Sequence, residues 1–124
     1  EEIGPARTFT LLRDVERLWA KGLAKGGSLE NAVVVGDQEI LNEGGLRYKD
    51  EFVRHKILDL IGDMSLLGSP IIGSIIATRS GHALNTKLVL EVLSRRDCWI
   101  WVNSDHRIKS KNRSFSLTTP NFTD

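Results

Sequence analysis

The spacing of apolar residues changes along the chain between a period of two, typical of strands, and a period of 3.6, typical of helices. Residues 6–12 are expected to be extended, and the β-branched run Ala32–Val35 is typical of a buried strand. A further strand is expected over Ile71–Thr78, with a bulge at Gly73. Helical spacing predicts three helices, over residues 13–22, 51–67 and 82–95. Because such helices need a sheet to cover, this order predicts an α+β or α/β layer, and we expect an α+β fold with a β-sheet layered against α-helices.

Turn-forming residues mark the ends of these elements. Gly22 is expected to end the first helix, and residues 26–28 are expected to form a turn. Residues 39–42 are expected to pair with the preceding strand as a hairpin. Asp50 is expected to cap the central helix at its amino terminus, and Pro70 excludes a continuation of that helix.

The central helix has two faces when it is turned by about 100° per residue. The apolar face, which is expected to form the core, consists of Val53, Ile57, Leu60, Ile61, Met64 and Leu67. The opposite face carries Phe52, His55, Lys56, Asp59, Gly62 and Asp63. The last helix is expected to bury the stripe Leu84, Leu88, Val92 and Leu93. The second face of the central helix therefore concentrates the residues that carry chemistry.

His55, Asp59 and Asp63 follow one another at i, i+4 spacing, which stacks their side chains along one stripe of a helix. An imidazole and a carboxylate one turn apart can bind Zn²⁺, so a hydrolytic metal site is one hypothesis. The alternative is a solvated face whose i, i+4 pairs contribute only about 0.2–0.5 kcal/mol each. Gly62, which costs about 1 kcal/mol relative to alanine inside a helix, and the aromatic Phe52 indicate that something packs on this face.

A third zinc ligand is not evident from the spacing. A catalytic zinc normally takes three protein ligands and a water. The remaining candidates are His82, His106 and Cys98, and no local pattern selects one of them. Cys98 is more typical of a small buried hydrophobic residue. His82 begins a predicted helix, where the helix dipole disfavours the imidazolium, and the alternative is a histidine that is tolerated in a first turn.

Composition narrows the class of protein. The chain has 124 residues, enough for one domain with a core, and 17 basic against 16 acidic residues give no field that favours duplex nucleic acid or an anionic membrane. The single cysteine fits a reducing compartment, and no apolar run is long enough to insert stably into a membrane. The acidic start of the chain does not resemble a signal peptide. A cytoplasmic location is therefore expected.

The chain becomes polar after Val102, and a poorly ordered tail is expected there. A cluster of basic residues in this tail is suited to phosphate contacts, although a charged, disordered end is more common. The cluster consists of His106, Arg107, Lys109, Lys111 and Arg113. A nucleic-acid-binding tail on an inert domain is therefore one alternative function. Separately, residues 26–28 resemble a phosphate loop only weakly.

Six segments closely resemble the UDP-3-O-acyl-N-acetylglucosamine deacetylases of Gram-negative lipid A synthesis, in that family's order and spacing. They are Ala6–Phe9, Lys25–Ser28, Leu41–Asn42, Gly45–Tyr48, Asp50–Asp63 and Ser80–Asn85. The resemblance runs from about Ile3 to Leu93. It implies that residues 1–93 are the carboxy-terminal part of the catalytic domain, in the second domain of a two-domain α/β sandwich enzyme. Residues 94–124 are then a divergent tail.

The resemblance also implies roles for individual residues. His55 and Asp59 would bind zinc, and Asp63 would pair with His82 and keep it protonated as the general acid for the departing amine. Thr8 would stabilise the oxyanion that forms when water attacks the acetamide carbonyl. The implied substrate-binding residues are Lys56 and Arg79, which would face the diphosphate, together with Phe9 and the acyl-chain residues Leu12, Trp19, Gly27, Ala32 and Val34.

In that family the third zinc ligand, a histidine, and the glutamate general base lie upstream of the segments present here. The resemblance therefore implies a UDP-linked acylated glucosamine as substrate, and a missing amino-terminal half as the partner that completes the site. We expect the chain by itself to bind zinc poorly and to be nearly inactive. The competing interpretation is a truncated, non-catalytic paralogue that binds a nucleotide-sugar or a protein partner through the same face.

Overall fold

The computed structural model describes residues 2–102. Its elements are β1 (Thr8–Leu11), α1 (Leu12–Ala20), β2 (Ala32–Val35), α2 (Glu51–Met64), a short 3₁₀ helix (Ser65–Leu67) and α3 (His82–Ser94). This mixture of strands and helices confirms the α+β prediction. The chain divides into two compact units, with the boundary between Asp59 and Leu60. The basic cluster from His106 to Arg113 lies outside the described residues.

The amino-terminal unit is built on the two predicted strands. β1 and β2 pair in parallel, with a register that runs from Thr8 opposite Ala32 to Leu11 opposite Val35. Parallel strands need a crossover connection, and α1 lies in that connection. Val33 of β2 is completely buried. The core of this unit therefore lies on β2, as the β-branched run predicts.

The other edge of β2 contacts the backbone of residues 39–41 and the side chain of Asn42. The predicted hairpin partner over residues 39–42 is confirmed in part, because an antiparallel bridge joins Ile40 to Val35. The N–H groups of Gly36 and Leu41 donate to the carbonyls of Glu39 and Val34 at 2.8 and 2.9 Å, but the pairing is too short to form a strand. Beside it, the buried amide of Asn42 accepts a hydrogen bond from the Val34 backbone N–H at 2.8 Å and donates to the Ala32 carbonyl at 2.7 Å. An amide group can satisfy both kinds of backbone partner, so Asn42 continues this short pairing along β2.

The central helix has the predicted position, but its apolar face is not a core. Val53 is 60% and Ile61 56% exposed, whereas Met64 is buried. The prediction that this stripe forms the core is therefore wrong for most of its members. The reason is that an apolar stripe is buried only where another element covers it, and the described residues provide no such cover. After α2 a turn of 3₁₀ helix ends at Gly68, whose φ of 73° gives the left-handed conformation typical of a helix end.

In the carboxy-terminal unit, the predicted strand over Ile71–Thr78 is wrong. These residues are irregular and exposed, and Ile76 is 94% exposed. The described residues of this unit contain no strand to pair with, and an unpaired strand leaves its backbone hydrogen bonds unmade. α3 confirms the predicted helix, although Asn85 and Val89 are its buried residues rather than the predicted leucine stripe. No helix among the described residues is long and apolar enough to cross a membrane.

Candidate functional site

The first cluster of polar side chains lies on α2 in the amino-terminal unit. The Nε2 atom of His55 is 3.2 Å from Oδ1 of Asp59, and their side chains are only 16% and 14% exposed. Lys56 donates from Nζ to the other carboxylate oxygen of Asp59 at 2.9 Å. The i, i+4 spacing thus produces the predicted contact. The low exposure argues against the alternative of a fully solvated face.

The ring of His55 is oriented by the backbone of the segment before β1. Its Nδ1 atom is 3.0 Å from the carbonyl oxygen of Ala6. A carbonyl oxygen only accepts hydrogen bonds, so Nδ1 must carry the hydrogen. In the neutral ring this tautomer leaves the lone pair on Nε2, the atom that faces Asp59. Histidines that bind metals are commonly held in this way, through the ring nitrogen that does not bind the ion.

The donor set of this cluster fits zinc in part. An imidazole nitrogen and a carboxylate oxygen are ordinary zinc ligands, but a catalytic zinc site takes three protein ligands. Among the described residues no three histidine, cysteine or acidic side chains form a group that could hold a metal ion. Of the candidates for a third ligand, His82 belongs to the second cluster, and the thiol of Cys98 lies 3.7 Å from a carboxylate oxygen of Asp97. The other candidate, His106, lies outside the described residues.

The second cluster lies in the carboxy-terminal unit and joins the end of α2 to the start of α3. Nδ1 of His82 is 3.0 and 2.9 Å from the two carboxylate oxygens of Asp63. The imidazole is 70% exposed, whereas Asp63 is 15% exposed. Because the carboxylate accepts at Nδ1, the ring can hold a second proton on Nε2. The pair therefore combines a largely exposed imidazole with a largely buried carboxylate at its Nδ1 atom, an arrangement that is common in general acid–base catalysis.

Asn85 also belongs to this cluster, although its position in the sequence did not indicate it. Its buried side-chain amide donates from Nδ2 to Oδ2 of Asp63 at 2.8 Å. It lies three residues after His82, on the same side of α3. A polar residue on the buried side of an apolar helix is the signal that would have found it, since buried polar groups need partners.

Residues of β1 lie beside the first cluster. The ring of Phe9 is 4.7 Å from that of Phe52, centroid to centroid, and Nζ of Lys56 is 6.0 Å from the Phe9 ring. The expectation that something packs on the polar face of α2 is confirmed for Phe52. Gly62 is different, because a Cβ atom there would meet nothing within 4 Å, and the described residues do not explain this glycine. Thr8 precedes Phe9 and is exposed.

The residues that were assigned to the acyl chain are spread over the amino-terminal unit. Ala32 and Val34 are both on β2, opposite Thr8 and Thr10. Leu12 and Trp19 are exposed on α1, and Leu12 also lines an open depression with residues 36–39 and 41. Gly27 lies in a turn, where its N–H donates to the Ala24 carbonyl at 2.9 Å. The structure therefore places the two β2 residues together, two positions apart on one strand.

Arg79, assigned to the diphosphate, lies three residues before His82 in the carboxy-terminal unit. Its φ of 51° is in the left-handed region, which is uncommon for residues other than glycine. Its side chain is exposed. The backbone at this position is thus held in an unfavourable conformation, a feature that often accompanies functional segments.

A buried ion pair lies next to the first cluster and was also missed. The Nε atom of Arg7 is 2.9 Å from Oε1 of Glu51, and both side chains are buried. Hydrogen bonds from the Arg7 side chain, and from the backbone N–H groups of Arg7 and Arg47, lower the pKa of Glu51 to about 2. A fully buried glutamate is rare, and neither its spacing nor its neighbours distinguish it in the sequence.

Comparison with known proteins identifies the family of this chain. Residues 1–94 match the family model described as LpxC, UDP-3-O-acyl N-acetylglycosamine deacetylase. The chain belongs to this family.

The relatives are individual deacetylases. A UDP-3-O-acyl-N-acetylglucosamine deacetylase of Myxococcus xanthus is 62% identical over 98 residues, which are 79% of this chain and 31% of the relative. The protein of the same name from Hahella chejuensis is 56% identical over 99 residues, 80% of this chain and 33% of the relative. The one from Citrifermentans bemidjiense is 50% identical over 119 residues, 96% of this chain and 38% of the relative. The chain thus spans about a third of the length of the curated relatives it matches.

Proposed function

We propose that the protein to which this chain contributes is a zinc-dependent hydrolase that removes the N-acetyl group from UDP-3-O-acyl-N-acetylglucosamine, in the lipid A biosynthesis of a Gram-negative cytoplasm. The names of its relatives support the reaction and the substrate. The single observation that carries the proposal is the contact between His55 Nε2 and Asp59 Oδ1, at 3.2 Å. It brings two donors of the kinds that zinc prefers to one point on a helix.

In this proposal His55 and Asp59 are the two zinc ligands of this chain. Zinc, when bound, supplies Lewis-acid polarisation of the acetamide carbonyl and activation of water. The Ala6 carbonyl holds the His55 ring so that Nε2 remains the binding atom. The hydroxyl of Thr8 donates a hydrogen bond to the oxyanion of the tetrahedral intermediate, a contact that gains strength as charge develops on that oxygen.

His82 is proposed as the general acid. Cleavage of the C–N bond expels an amine, which must receive a proton to leave. The Asp63 carboxylate accepts at Nδ1 of His82 and stabilises the imidazolium, so the transferable proton is the one on Nε2. Asn85 fixes the carboxylate from its buried side. The high exposure of the ring fits a group that must reach a substrate rather than fill a core.

The substrate contacts follow from charge and polarity. Lys56 and Arg79 are proposed to bind the diphosphate of the nucleotide, which requires cations. Phe9 and the group of Leu12, Trp19, Gly27, Ala32 and Val34 are proposed to surround the acyl chain. Lys56 donates to Asp59 in the structure. Binding of a divalent cation at Asp59 would weaken that contact and make the ammonium group available for phosphate.

The complete site is proposed to need a further part of the protein, in a two-domain sandwich of which this chain forms a portion. The length of the relatives supports this, as does the exposure of Val53 and Ile61 on an apolar face of α2. That face has the character of a surface that another layer covers. The third ligand and the general base are assigned to the same missing part.

The proposal is tested with a chimaera in which the upstream part of the Myxococcus xanthus relative precedes this chain. The chimaera is expected to bind one zinc ion and to release acetate from the UDP-linked substrate. The isolated chain is expected to bind zinc weakly and to release almost none. Tight stoichiometric zinc binding to the isolated chain in calorimetry would contradict the two-ligand assignment.

The same chimaera separates catalysis from the non-catalytic alternative. If the chain is a degenerate paralogue, His55→Ala and Asp63→Ala change stability slightly and acetate release is absent in every variant. If the proposal is correct, Asp59→Ala lowers both zinc content and acetate release. Asp97→Ala, which removes an exposed carboxylate outside both clusters, is the matched control and leaves both unchanged.

A further inference from the structure

The buried ion pair of Arg7 and Glu51, beside the first cluster, makes several hydrogen bonds with the backbone. Glu51 is completely buried. Its Oε1 accepts from the backbone N–H and from Nε of Arg7, each at 2.9 Å. Its Oε2 accepts from Nη2 of Arg7 at 3.1 Å and from the backbone N–H of Arg47 at 2.6 Å. Nη2 of Arg7 also donates to the Gly45 carbonyl at 2.8 Å. The carboxylate is therefore fixed in direction as well as compensated in charge.

Stability alone is a weak reason for such a pair. Moving two charges out of water is costly, and apolar side chains of similar volume often replace a buried ion pair with no loss of stability. What apolar side chains cannot do is to accept hydrogen bonds from a backbone N–H. What distinguishes Glu51 from an apolar residue is therefore its hydrogen bonds with the backbone N–H groups of Arg7 and Arg47.

Glu51 and His55 hold the same peptide unit. The N–H of Arg7 donates to Glu51, and the carbonyl of Ala6, which belongs to the same peptide bond, accepts from Nδ1 of His55 at 3.0 Å. The two side chains lie one turn apart on α2. Because a peptide unit is planar, fixing its N–H also fixes the direction of its carbonyl. Glu51 thereby determines where the Ala6 carbonyl points.

We propose that Arg7 and Glu51 are positioning residues that lock the ring of His55 in the Nδ1–H tautomer, with Nε2 directed at Asp59. They act through the Ala6–Arg7 peptide unit and touch neither ligand with their charged groups. Thr8 follows this peptide unit, so the same contacts fix the start of β1. The consequence for zinc binding rests on the proposed function, whereas the consequence for the tautomer does not.

The test compares two ion pairs, each with one member on α2, by the ring ¹⁵N chemical shifts of His55 at a pH at which the ring is neutral. Arg7→Met/Glu51→Leu replaces the buried pair by apolar side chains. Asp50→Asn/Arg54→Met is the matched control, because it removes a shorter but more exposed pair, 2.7 Å between Nε and Oδ1. The spectra are recorded for the 124-residue chain and for the chimaera, and zinc affinity is measured for the chimaera by chelator competition.

The Ala6 carbonyl favours a hydrogen on Nδ1 of His55, whereas the Asp59 carboxylate, 3.2 Å from Nε2, favours one on Nε2. We expect the wild type and the control to keep the Nδ1–H tautomer, and the buried-pair variant to show a mixture with the Nε2–H tautomer. The zinc affinity of that variant is expected to fall about 10–100-fold, the usual cost of losing a group that orients a ligand. A folded buried-pair variant that keeps the Nδ1–H tautomer would overturn the proposal. A lost tautomer preference with unchanged zinc affinity would overturn its link to the metal.

A second variant, Glu51→Gln, is used in case the double variant does not fold. Its side chain has the same shape but binds the guanidinium more weakly, because the negative charge is lost. A smaller shift toward mixed tautomers is expected, and no shift at all would overturn the proposal. The proposed function fails separately. If the wild-type chimaera binds no zinc through His55, the deacetylase mechanism is contradicted, while the tautomer comparison still decides the roles of Arg7 and Glu51.

Discussion

The surroundings of the two histidines differ in a way that separates their proposed roles. Both rings are anchored through Nδ1, His55 by the Ala6 carbonyl and His82 by the Asp63 carboxylate. The Nδ1 partner is thus a neutral carbonyl in one case and a carboxylate in the other, while Nε2 of His55 lies 3.2 Å from the Asp59 carboxylate. His55 is 16% exposed and His82 70% exposed. These differences fit the proposed roles, a zinc ligand at His55 and a general acid at His82.

The largest effect should come from replacing each histidine in turn by alanine in the chimaera. His55→Ala removes a proposed ligand, so zinc content and acetate release should both fall to background. His82→Ala removes only the proton donor, so zinc content should stay at the wild-type value while kcat falls about 10²–10⁴-fold. Metal analysis and steady-state kinetics on the same samples check both. Equal loss of zinc in the two variants would remove the distinction between the histidines.

The next largest effect is expected from changing Asp63, whose carboxylate accepts at Nδ1 of His82. Asp63→Asn keeps the shape of the side chain but loses the charge that stabilises the imidazolium. We expect kcat to fall about 10–100-fold with zinc content unchanged. Asp97→Asn is the control, because Asp97 is 74% exposed and lies outside the cluster. An Asp63→Asn variant with wild-type kcat would show that the acid needs no charged partner.

A smaller effect is expected at Arg79, three residues before His82, where the test is whether substrate binding changes and catalysis does not. Its φ of 51° suits glycine, so Arg79→Gly removes the charge without straining the backbone. Loss of a charged hydrogen bond to phosphate should raise KM about tenfold or more, with kcat nearly unchanged. Arg79→Lys keeps the charge and should have a smaller effect. Unchanged KM in Arg79→Gly would exclude a diphosphate contact.

The smallest effect is on stability in acid, and it sharpens the His55 side. The pKa of Glu51 is lowered from 4.5 to about 2 in the folded chain. The unfolded chain therefore binds the proton first, so the stabilisation is complete above about pH 4.5 and is lost as the pH falls toward 2. Urea unfolding at several pH values should show this fall. In Glu51→Gln the contribution of this group should be absent, and an unchanged pH dependence would contradict the assignment.

Local patterns predicted much of the fold. The β-branched run at Ala32–Val35 and the helical spacing around His55 and His82 produced the strand and two helices at the expected places. The contact between His55 and Asp59 follows from i, i+4 spacing alone. These features depend on residues that are neighbours in sequence or on one face of one element, and such information is present in the sequence itself.

Features that depend on distant partners were not predicted. Ile71–Thr78 has the composition of a strand, yet strand formation needs a second strand. Val53 has the spacing of a core residue, yet its burial needs a covering layer. The burial of Glu51 depends on Arg7, 44 residues away. Asn85 likewise becomes meaningful only when Asp63 is brought to it.

The most direct test is a crystal structure of the chimaera with zinc, with the ion located by anomalous scattering at the zinc edge. The account predicts the ion about 2.0–2.1 Å from Nε2 of His55 and about 2.0–2.2 Å from a carboxylate oxygen of Asp59. The Nδ1 atom of His55 should still donate to the Ala6 carbonyl. An ion bound elsewhere, with both side chains turned away from it, would contradict the account.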